Sequence, residues 1–401
     1  MKLFGFNFFS KPEPTPVPLP ESRSDSTLVD SFSFYQANTY LPAVSTYYTT
    51  NTYVKWGNDN LFPLQLVDLY NSSPIHSSII LQKSKMVVGA GLNFNDSLLS
   101  VQQKDALNRF LVLADGEKDL ETVLQDLSFD YQLFGAMALE VMWNMDFTKI
   151  VKVNRIPVMN IRLGKENERG CIEEFYFNKD WSRSNRYTII PAFNILNRSS
   201  QNQIIYIKNP SADGRYYGVP TYASGLNWVA ADASISKFHL SNINQGFAPS
   251  IAIKFYKKPE SEEQRDEIVR GIKKEYSGQG NAGKAMIFFS DGKDLAPDVA
   301  PVATADLDKQ FTVIADQIVD QIIRSHRGVS PILWGVKTAG QLGGASGEYE
   351  VAYKTFEKNV VQPDRKVLEN LINRILKING WNVNLTMKPF QVFDSPSTIN
   401  Q

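Results

Sequence analysis

The chain has 401 residues, of which 43% are hydrophobic and 12% aromatic, so it is long enough for two or three subdomains with buried cores. Lys plus Arg and Asp plus Glu each number 42, which gives a formal net charge of zero. A protein that grips nucleic acid over a broad surface should be basic overall. The composition therefore excludes broad DNA binding and allows contacts that are local or weak.

The single cysteine, Cys171, excludes an internal disulfide framework and a cysteine-rich metal site. No sequence feature brings a histidine to this thiol, so we interpret it as inert or weakly exposed. No apolar run reaches the length of a bilayer, and MKLFGFNFFS is too short and too poor in flanking cations for a signal peptide. We expect a soluble intracellular product.

The beginning of the chain is rich in proline. The segment PEPTPVPLP places proline at every second position from 12 to 20, which prevents a helix and favours an extended polyproline conformation. We therefore interpret residues 1–50 as a Pro-rich arm outside the folded core.

Three helices are predicted between residues 73 and 135. Ser73 can cap a helix that begins at Pro74 and ends at Gly89 or Gly91. A second helix covers about 101–113, and a third carries apolar side chains on one face before it stops at Gly135. The apolar period then changes to that of strands, in AMALEVMW and KIVKVNRIPVMNIRL.

Residues 149–215 are the most basic part of the chain, with twelve Lys or Arg against six Asp or Glu. They contain short strand-like runs such as EEFYF, RYTII and QIIYIK. By itself this pattern favours a solvated β-rich surface over a binding patch. Pro220 then opens a predicted helix that is rich in Ala and Ser and would allow a neighbouring helix to approach closely.

The segment GQGNAGKA at 278–285 raises the possibility of a nucleotide site. It matches the phosphate-loop pattern of a glycine, four residues and Gly-Lys, but Ala285 has no hydroxyl for a magnesium ion. SEEQRDEIVRGIKKEYSG before it predicts a helix with a capping box of Ser261 and Gln264, and AMIFF after it predicts a strand. This order is the reverse of a phosphate loop, so we interpret the segment as a helix-terminating glycine turn.

The residues from 307 onward predict a long amphipathic helix. Apolar residues form one stripe and charged residues another: Phe311, Ile314, Ala315, Ile318 and Ile322, and Asp308, Asp316, Asp320 and Arg324. The carboxylate row is better explained as a solvated or subunit-facing stripe than as a metal site. After Gly328 comes an apolar and then glycine-rich loop, and helices resume at Glu348 and after Pro363.

The order of these segments resembles that of portal proteins of tailed bacteriophages. Five segments carry the resemblance: the YGVP turn at 217–220, NQGFAPSIAIKF at 244–255, GQGNAGKAMIFFSDG at 278–292, RGVSPILWG at 327–335 and GEYEVAYKTFEKNVVQPDRKVLENLINRIL from 347. They stand in the right order at plausible separations, and the resemblance, from about residue 70 to 376, covers about three-quarters of the chain.

The resemblance implies an α+β portal fold with an α/β wing, a helical stem, a β-rich clip and a short helical crown, assembled as a ring. It divides the chain into the arm at 1–50, a first wing part at 51–148, the clip at 149–218, a stem helix at 219–245, a second wing part with the tunnel helix at 246–328, a tunnel loop at 329–347, and wing-to-crown helices with a tail at 348–401.

The resemblance also implies a function. About twelve identical subunits would form a head-tail connector ring at one capsid vertex and conduct double-stranded DNA during genome packaging and ejection. The implied partners are DNA, the terminase large subunit, the major capsid protein and a head-to-tail adaptor, with no membrane. The implied location is the virion, with the host cytoplasm during assembly. A separate terminase hydrolyses ATP, so the chain would be no enzyme and would need no catalytic residue, cofactor or metal.

Two sets of site residues follow from the resemblance. The tunnel loop would line the channel with Val329, Ile332, Leu333, Trp334, Lys337 and Leu342. Such a lining is nearly uncharged, so it would hold phosphates weakly and let DNA slide. The clip would present a basic surface to its partners, formed by Arg162, Lys165, Arg169, Lys179, Arg183 and Arg186.

Two alternative functions stay open. A non-ring head-completion or adaptor protein would also be neutral and free of enzymatic activity. A P-loop NTPase would need the missing hydroxyl and an acidic strand end for magnesium. A closed annulus with a central hole is expected for the portal protein alone.

Overall fold

The structure is a computed structural model that describes residues 52–184, 186–198, 200–212, 216–245, 251–257, 259–276, 285–290, 292, 307–327, 329–334 and 346–390. The chain divides into a short unit, Met1–Asn38, and a main unit, Thr39–Gln401. The predicted Pro-rich arm and residues 278–284 of the glycine-rich segment lie outside the described residues.

The main unit begins with four helices and one short strand: α1 (Phe62–Ser72), α2 (Pro74–Val88), β1 (Leu92–Asn93), α3 (Val101–Val112) and α4 (Leu120–Phe134). Ser73 and Asp119 cap α2 and α4, each by accepting a hydrogen bond from the backbone N–H three residues later. Gly89 ends α2 with a φ of 74°, and Gly135 ends α4 in the left-handed conformation. The three predicted helices are confirmed.

Two three-stranded antiparallel sheets follow. In the first, β2 (Ala136–Trp143) lies between β3 (Ile150–Arg155) and β7 (Asn202–Lys208). The second has β5 (Glu174–Phe177) between β4 (Ile161–Leu163) and β6 (Thr188–Pro191). A 3-10 turn at Val158–Asn160 interrupts the run that its apolar pattern predicts as one strand.

The first sheet joins two regions that the resemblance separates. β2 belongs to the predicted first wing part, whereas both of its partners belong to the predicted clip. The predicted boundary at residue 148 falls within the hairpin between β2 and β3, so the division of the chain into wing and clip stays a prediction.

The helix predicted to open at Pro220 begins later than expected. A 3-10 turn, Ala223–Gly225, precedes α5 (Leu226–Gln245). Tyr222 is fully buried and its hydroxyl donates to the Leu133 carbonyl, 2.7 Å away. A Cβ at Gly225 would lie 2.2 Å from the Ser325 hydroxyl oxygen, so the chain passes very close to a second helix there. These tertiary contacts override the helix signal of Pro220.

A parallel β-α-β unit comes next, formed by β8 (Ile251–Phe255), α6 (Glu262–Tyr276) and β9 (Ala285–Phe289). Residues 277–284 therefore follow a helix and precede a strand, as predicted and in the reverse order of a phosphate loop. The Gln264 N–H donates to the Ser261 hydroxyl, but the Gln264 side chain accepts from Glu260, one residue before the predicted partner.

The remaining elements are helical. α7 (Leu307–Ser325) packs against α5 and is followed by a 3-10 turn, Pro331–Trp334. α8 (Ser346–Phe356) continues into α9 (Gln362–Ile378) through a π-helical turn, Glu357–Val361, where the sequence predicts a restart after Pro363. β10 (Thr386–Met387) then pairs with β1.

One hydrophobic core connects most of these elements. α9 contributes Leu368, Leu371, Ile372, Ile375 and Leu376 to it. The Arg365 guanidinium donates to the carbonyls of Met86 and Val87, so α9 also satisfies the carbonyl end of α2. The predicted crown helix thus packs in the same core as the first helices. Among the described helices, none is both long and apolar enough to span a bilayer.

Candidate channel segment and basic surface

The described part of the predicted tunnel loop is the short turn after α7. Val329 is buried in the subunit core, and Leu333 and Trp334 pack against that core while they stay partly exposed. Ile332 is also partly exposed, and it is not among the side chains that pack on the core. Lys337 and Leu342 lie outside the described residues. Of the predicted lining residues that the structure describes, Ile332 is therefore the one that does not pack on the core, and its role in a channel stays a prediction.

A buried polar junction anchors this turn. His76 on α2 and His326 after α7 are both fully buried, and their Nδ1 and Nε2 atoms share a hydrogen bond of 3.0 Å. The Tyr222 ring lies against both, with centroid distances of 4.5 and 5.0 Å. Burial lowers the pKa of His76 to about 3 and holds the pKa of His326 well below its usual value. The junction fixes the end of α7 to α2 in a neutral form.

A second buried group lies along the same helix, α2. Lys83 is 1% exposed, and burial lowers the pKa of its amine to about 8, although the Asp364 charge opposes this change. Burial raises the pKa of Asp364, whose carboxylate accepts a 2.8 Å hydrogen bond from Gln132. The Gln132–Asp364 hydrogen bond thus joins α4 to α9, and the charge of Lys83 on α2 acts on the same carboxylate.

Arg162, predicted as part of the basic surface, is buried instead. Its guanidinium donates to the side chain and carbonyl of Asn60 and to the carbonyls of Met159 and Ile161, and it lies 4.8 Å from the centre of the Trp181 ring. Burial lowers its pKa to about 10. The assignment of Arg162 to an exposed surface is therefore wrong, because its hydrogen-bonding groups are used inside the subunit.

The other five predicted cations are exposed on the turns of the second sheet: Lys165, Arg169, Lys179, Arg183 and Arg186. Five carboxylates stand among them: Glu166, Glu168, Glu173, Glu174 and Asp180. One of these, Asp180, lies 3.4 Å from Arg183 in an exposed ion pair. The exposed surface has no net charge between residues 165 and 186. A partner would therefore meet positive and negative side chains in turn, not a purely basic surface.

The carboxylate row on α7 is predicted to be a solvated or subunit-facing stripe. Asp320 pairs with Arg324 at 2.6 Å on an exposed face, and Asp316 is exposed one turn earlier. No group of three or more metal-ligating side chains comes together within the described ranges.

No sequence signal points to the pairing of the two histidines. The two rings are 250 positions apart in the chain, and each histidine alone is most simply explained as a core residue. The local signals are the buried face of α2 and the capping Ser73, which place His76 on the inner side of its helix. Its partner can be found only from the packing of α7 on α2.

Three comparisons relate this chain to known proteins. The probable portal protein of Escherichia phage P2 is 22% identical over 264 residues, which are 64% of this chain and 67% of that protein. A chain from the neck of an empty gene transfer agent particle matches with a TM-score of 0.55 and 14% identity over 81% of this chain and 84% of that one. No protein-family model matches.

A third match comes from the neck of the native gene transfer agent particle computed with C12 symmetry. Its TM-score is 0.51 at 15% identity, and it covers 83% of this chain and 86% of that one. The structural matches show a shared fold over most of the chain, and the phage relative supports the predicted resemblance to portal proteins, which is thereby confirmed.

Proposed function

We infer that this chain is a phage portal protein, and we propose that its copies close into a ring at one vertex of a phage capsid. The proposal is supported by the portal relative and by the fold shared with neck chains, one of them from a particle treated with C12 symmetry. Subunits in such a ring meet head to tail, so each copy must offer two different surfaces.

The observation that carries the proposal is the pair of helices α5 and α7. The end of α7 contacts the start of α5, where Ile318, Ile322 and Ile323 are buried with Leu226 and Val229. Farther from this end, Leu240 on α5 and Val313 and Ile314 on α7 are 59%, 66% and 43% exposed. A monomer gains nothing from these exposed apolar side chains, whereas a ring would bury them against the neighbouring copy.

In this ring, the turn after α7 would reach the axial channel, with Ile332, Leu333 and Trp334 as the described part of its lining. Double-stranded DNA would pass this lining during packaging and ejection. The terminase large subunit, a head-to-tail adaptor and the major capsid protein would bind the outer surfaces, and assembly would take place in the host cytoplasm. The ring would act as a conduit and leave ATP hydrolysis to the terminase.

Mass photometry of the purified chain tests the ring. We expect closed oligomers for the natural chain, and their loss with a folded monomer when Leu240 and Val313 are both changed to Asp, because two charges per subunit would be placed in a buried apolar contact. Leu98→Asp is the matched control, since Leu98 is 79% exposed in the turn before α3 and lies on neither α5 nor α7. A natural chain that stays monomeric, or an unaffected double variant, would contradict the proposal.

A further inference from the structure

One end of the first sheet is built as a rigid tip. The turn between β2 and β3, residues 144–149, lies beside the turn at 193–198, and Arg198 joins them by donating to the carbonyls of Phe147 and Ile195 at 2.7 and 2.9 Å. The last turn of α9 is fixed to the same place, since Asn379 exchanges two 2.8 Å hydrogen bonds with the backbone of Ile150. We call these three segments the hairpin tip.

A stack of four planar groups stiffens the hairpin tip. The rings of Trp143 and Phe193 are stacked within 5° of parallel, 6.0 Å apart. The Arg198 guanidinium lies 4.6 Å from the Trp143 ring, and the Arg374 guanidinium lies 5.1 Å from the Phe193 ring. Cation–π contacts of this kind hold both turns and the helix end in fixed positions. The tip is therefore organised before any partner arrives.

The hairpin tip exposes large apolar side chains. Met145 is 86% exposed, Leu196 is 93% exposed and Ile195 is 39% exposed, and they sit on the two turns that Arg198 holds together. Single exposed apolar residues are ordinary, but three on one rigid tip are typical of a contact surface.

The charge of the hairpin tip is positive. Lys149, Arg374 and Lys377 are exposed, Arg198 is partly exposed, and Asp146 is the single acidic residue within the three segments. In the part of the chain that the structure describes, no carboxylate pairs with Lys149, Arg374 or Lys377. From the 149–215 region, Lys149 and Arg198 contribute to this positive tip, whereas acids and bases cancel on the second sheet.

The opposite charge occurs at the start of α6. Residues 260–267, at and just before its N-terminal end, carry five exposed acids against one exposed base, Arg265: Glu260, Glu262, Glu263, Asp266 and Glu267. Ile268 and Val269 follow on the same helix and stay partly exposed. Among the described strands, β8 and β9 pair with each other alone. The start of α6 is therefore an exposed acidic surface beside partly exposed apolar side chains.

We propose that α6 of one copy docks on the hairpin tip of the next copy. The proposal rests on the ring and names one of its head-to-tail contacts. The two surfaces differ, as a heterologous interface requires, and they match in charge and in apolar content. The acidic side chains of α6 meet Lys149, Arg374 and Lys377, and Val269, which lies on the same helix face as Glu262 and Asp266, covers Met145 and Leu196.

Charge reversal in the full-length chain tests this contact. The acid-reversed variant carries Glu262→Lys, Glu263→Lys and Asp266→Lys, and the base-reversed variant carries Lys149→Glu, Arg374→Glu and Lys377→Glu. Each variant alone places like charges at every contact. In mass photometry it should therefore need a protein concentration at least tenfold higher than the natural chain to form the same fraction of rings. A chain with all six changes restores opposite charges and should recover the rings.

A mixture of the two variants sharpens the test. Each reversed surface then finds its complement only on the other variant, so mixed rings should form with equal amounts of both, counted by native mass spectrometry. The control carries Lys165→Glu, Arg169→Glu and Lys179→Glu, three exposed cations of the second sheet, and should assemble like the natural chain.

The outcomes separate this contact from the ring itself. Rings of natural chain that survive both reversals, or lost rings that neither the six-change chain nor the mixture recovers, would overturn the α6 contact while the portal function stands. Absence of rings in the natural chain would overturn the proposed function instead.

Discussion

His76 and His326 share one hydrogen bond in the core, and neither is accessible to solvent. The ring atoms that face away from this bond, Nε2 of His76 and Nδ1 of His326, have no hydrogen-bond partner among the described residues. Lys83 adds a positive charge nearby, and the Tyr222 ring excludes water from one side. Protonation of either histidine inside this junction would therefore be costly, and the pair holds α7 on α2 only while it is neutral.

This junction predicts that the subunit loses stability in acid. The folded pKa of His76 is about 3 and that of His326 lies well below normal, whereas both are near 6.5 in the unfolded chain. The unfolded state therefore binds more protons below pH 6.5, and the free energy of unfolding should fall by about 1.4 kcal/mol per pH unit for each histidine that stays neutral in the folded state. Urea unfolding at pH 7.0, 6.0 and 5.0 measures the slope.

The double variant His76→Asn/His326→Asn keeps polar groups at the junction but cannot titrate. Its slope between pH 7 and 5 should be shallower than that of the natural chain, even if its stability at pH 7 is lower. His239→Asn is the control for a histidine-to-asparagine change outside the junction, since His239 lies exposed on α5. Equal slopes for all three proteins would contradict the assignment.

The burial of a charged side chain is the property that is hardest to predict from the sequence. Asp130 is fully buried and its carboxylate receives two hydrogen bonds from Arg155, at 2.6 and 2.9 Å, while burial raises its pKa. Arg162 is buried among carbonyls. Both arginines contribute to the basic composition of residues 149–215, yet neither adds positive charge to an open surface. Composition counts charges, and the tertiary structure decides which of them solvent and partners meet.

Gly135 shows how one helix end sets the position of several elements. It has a φ of 69°, and a Cβ there would lie 2.2 Å from the carbonyl carbon and oxygen of Val219. The end of α4, the start of β2 and the chain before Tyr222 all meet at this point. Gly218 approaches from the other side, since its own Cβ would lie 2.3 Å from the Gly135 oxygen. Only glycine satisfies both the left-handed backbone and the close contact.

Gly135→Ala should therefore be much more destabilising than Gly170→Ala. Gly170 has nearly the same φ, 70°, but a Cβ there would meet no atom within 4 Å, so its substitution costs only the left-handed strain of about 1–2 kcal/mol. At Gly135 the backbone of residues 219–220 must also move, and we expect a loss at least about 2 kcal/mol larger. Chemical unfolding of the two variants measures the difference. Equal losses of stability would show that the backbone of residues 219–220 can move away from the added Cβ at little cost.

The elements that the sequence predicts correctly are those with local signals. Ser73, Gly89 and Gly135 mark helix ends through hydrogen bonds and backbone angles that depend on a few neighbouring residues. The pairing of β2 with β7 is not predicted, because it joins residues about sixty positions apart and leaves no local pattern. The delayed start of α5 escapes prediction for the same reason: the buried Tyr222 and the contact of Gly225 with Ser325 are tertiary.

The candidate site divides in the same way. The apolar character of the turn after α7 is visible in its sequence. The portal resemblance implies that this turn lines a channel, and that role stays a proposal. Burial separates its members: Val329 belongs to the core, and Ile332 does not pack there. The exposed tip at Met145 and Leu196 has no sequence signal, since it is created by two turns that Arg198 holds together.

The balance of 42 positive and 42 negative side chains would suit the proposed ring, through which DNA would have to slide. A firm contact between a cation and a phosphate releases counterions and adds a free-energy minimum at each step of the DNA. A ring can still use charge between its own subunits, where opposite patches fix the register of neighbouring copies without reaching the channel. Charge at the hairpin tip and on α6 would then serve assembly, and an uncharged turn after α7 would serve passage.

This division of roles predicts that Ile332→Lys impairs DNA passage without preventing ring assembly. One ammonium per subunit in the channel would bind successive phosphates, so DNA packaging into capsids should slow by roughly tenfold and recover partly as salt is raised. Ile332→Gln is the matched control, since it adds polarity and similar volume but no charge, and it should package at nearly the natural rate. Rings and packaged DNA would be measured on the same preparations. If the lysine variant packages as fast as the glutamine variant while its rings are intact, residue 332 does not face the DNA, and the channel must be lined by another part of the chain.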